Sequence, residues 1–353
     1  MITENSSTQT YPFVFTGKGN EYFRIWIVNL ALTILTLGIY SAWAKVRRLQ
    51  YFYRNTALAG SNFDYHGDPK AILKGRLIGV GLLAIYNVTA GLNVWIALIA
   101  FALSMAIFPW LLQRSLCFKL HNSSYRGLRF RFAGDTGGAY RVFLFWPLLG
   151  YVTLGLVMPL VHQRMKAYQH NNSRYGVSPF GFHAPVGGFY RIYGKALLML
   201  GVPIVVGFAL NGLGVFPTLG STGLSNDQQI KVLGGLMIAF LGFYLLAFLF
   251  IGPWFAARVQ NLVWNNTSLT PHRFASHVSA RGLLAIYLTN FIGILLTLGL
   301  FKPYADIRLA KYRLEQIALL AEGDFDAFIA DQTQSVSATG EEMAEVFDFD
   351  IAF

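Results

Sequence analysis

The stretch "TLGLFKPYADIRLAKY", residues 297–312, runs from an apolar segment through a proline into a basic, aromatic end. Two earlier stretches share its frame, "TLGIYSAWAKVRRLQY" at 36–51 and "TLGLVMPLVHQRMKAY" at 153–168. In each, Arg stands eleven residues after the Thr (Arg47, Arg164, Arg308) and Tyr stands fifteen after it (Tyr51, Tyr168, Tyr312). The apolar residues before each phrase set the class of the protein. Between Arg24 and Lys45 lie twenty residues without Asp, Glu, Lys or Arg, and between Arg281 and Lys302 another twenty. The corresponding run is twenty-two residues between Arg141 and Arg164, thirty-seven between Arg76 and Arg114, thirty-one between Lys195 and Asp227, and twenty-six between Lys231 and Arg258. A bilayer core takes about 20 apolar residues per helix. Unsatisfied backbone in lipid is costly enough that such runs are expected to be helical. The expectation is an all-α polytopic membrane protein with about seven apolar helical segments.

Composition agrees. Of 353 residues, 54% are hydrophobic and 13% charged, against about 25% charged in a soluble domain. Cys117 is the only cysteine, which excludes an intramolecular disulfide and a cysteine-rich metal site. The seven His are scattered, and Asp64-Tyr65-His66 reads as a polar turn leading into Gly67-Asp68-Pro69. No cofactor is expected, and no cleavable signal peptide precedes the first apolar run. Charge is divided along the chain. Residues 1–320 hold a net of +20, whereas 321–353 hold nine acids and no base.

The phrase belongs to a longer recurrence of five units. Pro109, Pro159, Pro253 and Pro303 each stand five residues before an Arg (Arg114, Arg164, Arg258, Arg308), with Ala42 in that place before Arg47. Eight residues beyond the Arg come Asn55, Asn122, Asn172 and Asn266, each followed by Ser or Thr, with Gln316 in the fifth unit. An aromatic pair follows: Phe63 and Tyr65, Phe130 and Phe132, Phe180 and Phe182, then Phe274 alone, while Phe13 and Phe15 begin the series. The units are read as 13–56, 63–123, 130–173, 180–267 and 274–316, between a polar N-terminal tail (1–12) and an acidic, flexible C-terminal tail (321–353). Even units are read as helical hairpins and odd units as one segment each, broken or re-entrant. The aromatic pairs are read as short extended linkers at the membrane interface, where amphipathic rings are favoured. If the odd segments dip in and return, the basic linkers share one side, as the positive-inside rule prefers.

The residues "FTGKGNEYFRIWIVNLALTILTLGIYSAWAKVRRLQYFYRNTALAGSNFDYHG" and their continuation over nearly all of 13–320 resemble the YjgN-like family of bacterial inner-membrane proteins. The resemblance implies a multi-pass bacterial inner-membrane protein from a family without assigned chemistry, so no catalytic residue transfers with it.

Function is read on three classes. An enzyme needs a convergent acid, base or nucleophile, and the carboxylates of the body (Glu21, Asp64, Asp68, Asp135, Asp227, Asp306, Glu315) are dispersed. A lipid-binding or carrier-like protein accounts for the repeats, the helix breaks and the basic aromatic linkers. A scaffold or regulatory subunit accounts for the absence of chemistry. The second class is preferred, with anionic membrane lipids as partners and no nucleic acid. Its expected phosphate sites are Arg47, Arg114, Arg164, Arg258 and Arg308, where helix should meet headgroups. Asn29, Thr36, Asn290 and Thr297 are expected within the apolar segments, as interhelical glue or as a polar path. An unbroken helix would set Asn29, Thr36, Arg47 and Tyr51 in one stripe. The tail is expected on the cytoplasmic side.

Overall fold

The computed structural model describes residues 8–212 and 225–339. Its centre is an eleven-stranded antiparallel sheet built from the linkers. The strands are β1 (Gln9–Pro12), β2 (Val14–Phe15), β3 (Thr56–Leu58), β4 (Ser61–Tyr65), β5 (Ser123–Tyr125), β6 (Leu128–Phe132), β7 (Ser173–Tyr175), β8 (Ser178–Phe182), β9 (Thr267–Leu269), β10 (His272–Ser276) and β11 (Ile317–Ala321). Their order is β1-β11-β10-β9-β8-β7-β6-β5-β4-β3-β2. The two terminal strands of that order are separated in the chain only by Phe13, whose N–H donates to the Ile317 carbonyl at 3.0 Å. One extended strip therefore pairs with β11 through β1 and with β3 through β2. The sheet becomes a nearly closed barrel, which protects the open edges that short strands would otherwise expose.

This corrects the all-α expectation. The aromatic pairs do not lie singly at an interface; they are strands that pair with one another across units. Phe63 of β4 stands opposite Tyr125, Phe130 of β6 opposite Tyr175, and Phe180 of β8 opposite Leu269. The inward side chains stack around the lumen: Phe13 on Phe63 (6.0 Å between centroids), Phe63 on Phe130 (6.4 Å), and Phe180 on Phe274 (6.2 Å). Leu58, Tyr125, Tyr175, Leu269 and Leu319 fill the same core. Two residues along each strand, Phe15, Tyr65, Phe132 and Phe182 pack instead against helices. Period-two alternation places both aromatics on one face at successive levels.

The helices are α1 (Gly19–Leu35), α2 (Ser41–Arg54), α3 (Pro69–Leu92), α4 (Val94–His121), α5 (Thr136–Tyr140), α6 (Trp146–Val152), α7 (Met158–Asn171), α8 (Val186–Gly212), α9 (Asn226–Trp264), α10 (Ala280–Leu296), α11 (Lys302–Glu315) and α12 (Phe325–Thr339), with a π-helical turn at Arg141–Phe145. Among the described residues only three helical stretches are long and apolar enough to cross a membrane: Pro69–Leu92, Val94–His121 and Leu241–Trp264. The expected seven segments are overturned because a charge-free run is not one straight helix. At each Thr-Leu-Gly the chain turns back. Leu37, Leu154 and Leu298 take φ near +50°, followed by glycines near +90°. The N–H groups of Gly38, Gly155 and Gly299 each close on a carbonyl five residues earlier at 2.8 Å. This is a helix stop of the Schellman type with leucine in its left-handed position, and the glycine that follows takes its own positive φ with no Cβ to clash.

The stripe required an unbroken helix, so it does not form. The Tyr that ends the phrase braces the hairpin instead. Tyr51 donates to the Lys18 carbonyl (3.0 Å), Tyr168 to that of Asp135 (2.8 Å) and Tyr312 to that of Ser279 (3.2 Å). Lys18, Asp135 and Ser279 are the residues that start the first helix of each hairpin. Nothing but hydrogen fits on Gly282, whose missing Cβ would collide with the Tyr312 ring.

A flexible tail from residue 321 does not describe residues 321–339. Ala321 ends β11, and α12 covers the end of the barrel where the hairpin turns lie, with Phe325 and Ile329 buried in the lumen core. Gln332 accepts from the N–H groups of Val177 and Ser178, both at 3.1 Å. Arg126 in the β5–β6 turn bonds Asp326 and donates to the Ala59 carbonyl at 2.8 Å. Residues 340–353, the rest of that tail, and residues 1–7 lie outside the described residues.

Candidate functional site

The barrel joins the start and finish of every helical excursion, so all five leave from and return to one body. Their far surfaces are apolar and uncovered: Leu37, Leu154 and Leu298 at the short tips are 95%, 94% and 95% exposed. Trp95 and Leu98 on α4 are exposed as well. Apolar area of this extent is a membrane or partner surface.

Between that surface and the barrel stand the repeated arginines, and all five are exposed. Arg47, Arg114 and Arg164 lie over Tyr40, Trp110 and Trp146 at 5.8, 5.8 and 5.9 Å, within cation–π range. Arg308 is used differently. It donates to the side chains of Asn290 (2.9 Å) and Thr289 (3.0 Å) and so ties α11 to α10. The five share no common ligand position; each stands on its own hairpin.

Arg47 lines a groove of about 510 Å³ between α1 and α2, with Arg24, Arg54, Gln50, Ile25 and Val28 among its walls. The Arg54 Nε is 2.9 Å from the Asp64 carboxylate, and that bond leaves Arg24 and Arg47 as the groove's unneutralised cations. Arg54 was absent from the sequence expectation. Its seven-residue spacing from Arg47, two helical turns, was the available signal. The groove's chemistry is a pair of guanidinium donors beside aliphatic surface.

The polar residues expected within the apolar segments take part in local structure. Thr36 and Thr297 donate to carbonyls four residues back and accept the N–H of Tyr40 (2.9 Å) and Phe301 (2.8 Å), which builds the tips. Asn290 donates to the Ala305 carbonyl at 3.2 Å across the hairpin. Asn29 is buried in the matching place, with its side-chain oxygen unbonded. Asn290 bonds across to α11, whereas Thr36 and Thr297 bond within their own tips.

The dispersed carboxylates serve local structure. Asp68 and Asp135 cap helices, Glu21 pairs with Lys18, Asp306 with Arg48 and Lys302, and Glu315 with Lys311. Among the described residues no three His, Cys, Asp or Glu side chains form a metal-holding group. Two histidines of α7 are held neutral. Burial, and then the charge of Lys166, push His162 and His170 down to about 4.

Residues 10–346 match a family described as a bacterial protein of unknown function, DUF898. The inner membrane protein YjgN of Salmonella typhimurium is 25% identical over 368 residues, 92% of each chain. The protein of the same description from Escherichia coli O157:H7 is 30% identical over 159 residues, 44% of this chain and 39% of that one. No solved structure matches.

Proposed function

The chain belongs to the DUF898 family of bacterial proteins, among relatives named as inner membrane proteins, and from that premise we propose that it binds anionic lipid in the inner membrane without catalysing a reaction. The observation behind this reading is the α1–α2 groove, where Arg24 and Arg47 adjoin Ile25 and Val28. Guanidinium forks match a phosphate through paired hydrogen bonds, and the aliphatic wall suits the start of an acyl chain. Five repeated units, hung from the barrel, give the protein its multi-pass form. Supporting the repeat are the matched tip turns and the matched side-chain bonds of Asn55, Asn122, Asn172 and Asn266 to carbonyls four residues back. The barrel and α12 are cytoplasmic in this reading, since the basic linkers gather there.

Each surface Arg contributes roughly 1 kcal/mol toward an anionic leaflet. The double variant Arg24→Ala/Arg47→Ala should therefore hold anionic lipid roughly tenfold to thirtyfold more weakly. Phospholipid co-purified with wild type and variant in a neutral detergent is the measurement, with Arg24→Lys/Arg47→Lys as the charge-preserving control. Unchanged anionic lipid in the Ala variant would sink the proposal. Loss in Ala with full retention in Lys would reduce the site to charge alone.

A further inference from the structure

The recurrence that builds the barrel also fixes what lies inside it. The first aromatic of each unit (Phe13, Phe63, Phe130, Phe180, Phe274) faces the lumen. So does the residue three places after each recurring Asn or Gln316: Leu58, Tyr125, Tyr175, Leu269 and Leu319. The wall thus consists of two repeated sets, five phenylalanines in one and three leucines with two tyrosines in the other. Consecutive rings of the first set stand 6.0, 6.4, 6.3 and 6.2 Å apart round the wall. A barrel of about eight strands has an interior that side chains just fill, and the diameter grows with strand number. In the larger barrel here, side chains of similar reach leave the axis unfilled, as a space of about 150 Å³ lined by both sets.

Trp264, at the end of α9, and Phe325, at the start of α12, complete the lining. The space is wholly apolar. The Tyr125 hydroxyl donates to the Leu58 carbonyl at 2.6 Å and the Tyr175 hydroxyl to the Tyr125 carbonyl at 3.1 Å, so both polar tips are already spent. A buried water needs about two to four polar partners, and apolar cavities of about 150 Å³ stay dry and accept benzene-sized molecules. Left empty, the lining atoms lack dispersion partners on one side. The wall is not free to collapse on the gap. Ladder pairing fixes the register of the strands. Gln332 holds α12 to the β7–β8 turn through the N–H groups of Val177 and Ser178.

We propose that the barrel lumen binds a neutral apolar group about the size of one aromatic ring, between Trp264 and Phe325. Ring faces and edges on the wall match a flat aromatic or a short hydrocarbon. A charged ligand would give up its hydration there without a partner. One chemistry fits two sources, a free small hydrophobic molecule and the end of a lipid acyl chain. Trp264 also lines a cavity of about 390 Å³ between α2, α9 and α11, and it is the lining residue that the two spaces share. That cavity is the approach to the lumen, with the indole as its gate. None of the groove arginines lines either space, so this site stands or falls independently of the groove.

The test uses the full chain in neutral detergent, with bromobenzene as the probe. In the wild type it should give a saturable rise in unfolding temperature and a saturable loss of tryptophan fluorescence, because the heavy atom quenches an indole it touches. The saturable quenching should vanish in Trp264→Phe while the thermal response persists. Leu269→Trp, which fills the space, should weaken the apparent affinity at least tenfold in the thermal readout, and Arg24→Ala/Arg47→Ala should respond as the wild type does. If Leu269→Trp fails to fold, Leu58→Phe is read in its place. Organic extracts of the purified protein separate the two sources. Phospholipid lost in the filled variant would identify the end of an acyl chain, and a non-lipid hydrophobe lost there would identify a free molecule. A bromobenzene response that is unsaturable and equal in wild type and filled variant, as partition into the micelle would give, together with identical extracts, would overturn the proposal. Quenching that survives in Trp264→Phe would overturn it too, by placing the probe elsewhere.

Discussion

Leu319 in the barrel is 1% exposed, and Leu298 at the tip of the last short hairpin is 95% exposed. The side chains are identical, so the contrast measures their surroundings. The barrel gathers its apolar groups inward, around stacked rings, as a water-facing body must. The hairpins turn leucines outward and spend their polar groups on caps, tips and crossings, as a body suited to apolar surroundings must. Trp264 belongs to both halves: it ends α9, packs on Phe274 at 5.1 Å, and borders a cavity that Arg48 and Arg313 also line.

The sharpest way to break this comparison is to truncate one side chain in each half. Phe274 is buried among Trp264 and Phe180, and Phe274→Ala should cost about 3–5 kcal/mol of stability through lost burial and a cavity. Leu298→Ala removes a side chain that touches little protein and should change stability in detergent by about 0.5 kcal/mol or less. Denaturant unfolding followed by tryptophan fluorescence reads both, and a tip variant as damaging as the barrel variant would erase the distinction.

Acid provides the second contrast. His162 and His170 remain neutral to about pH 4 in the folded protein, while an unfolded His protonates near 6.5. His272, sealed against Phe328 at 4.5 Å, is shifted the same way by burial, with Glu322 opposing. A base with a lowered folded pKa favours folding fully above the unfolded value, and that contribution fades as pH falls from about 6.5 toward 4. The thermal midpoint should therefore drop by several degrees between pH 7.5 and 5. His170→Gln should flatten the slope, and an unaltered slope would show that the ring near Thr267 and Phe182 is not a source of the acid sensitivity.

A smaller effect than the barrel truncation concerns the brace that joins the two arms of a hairpin. Tyr168→Phe deletes one hydrogen bond to the Asp135 carbonyl and should cost about 1 kcal/mol. Tyr151→Phe, on an exposed ring near the tip of the same hairpin, should cost nothing measurable. Equal effects would mean that the hairpin closes without its Tyr.

Much of this molecule was legible in order but not in shape. The recurring Thr, Arg, Tyr and aromatic spacings were visible, and the Tyr turned out to brace the hairpin through the cap that starts it. The Phe pairs were visible too, but as interfacial strips. Strands of two to five residues are too short to announce themselves by alternation, and their partners lie in other units. The acidic C-terminal segment read as solvated because Phe325 and Ile329 have nothing to bury against until the turn end of the barrel exists. Arg24, Arg47 and Arg54 could be counted on the chain, but only the packing of α1 on α2 made a groove from them.

By itself, the sequence determined the membrane class, the sign of the charge near the linkers, the recurrence and the family, because each depends on residues in order or in total. Tertiary structure alone decided that the linkers close into a barrel, that the short apolar runs turn back, and that Arg24 and Arg47 line one groove. Hydropathy is a local property, whereas strand pairing and charge convergence join residues far apart in the chain, and only a folded chain sets those distances.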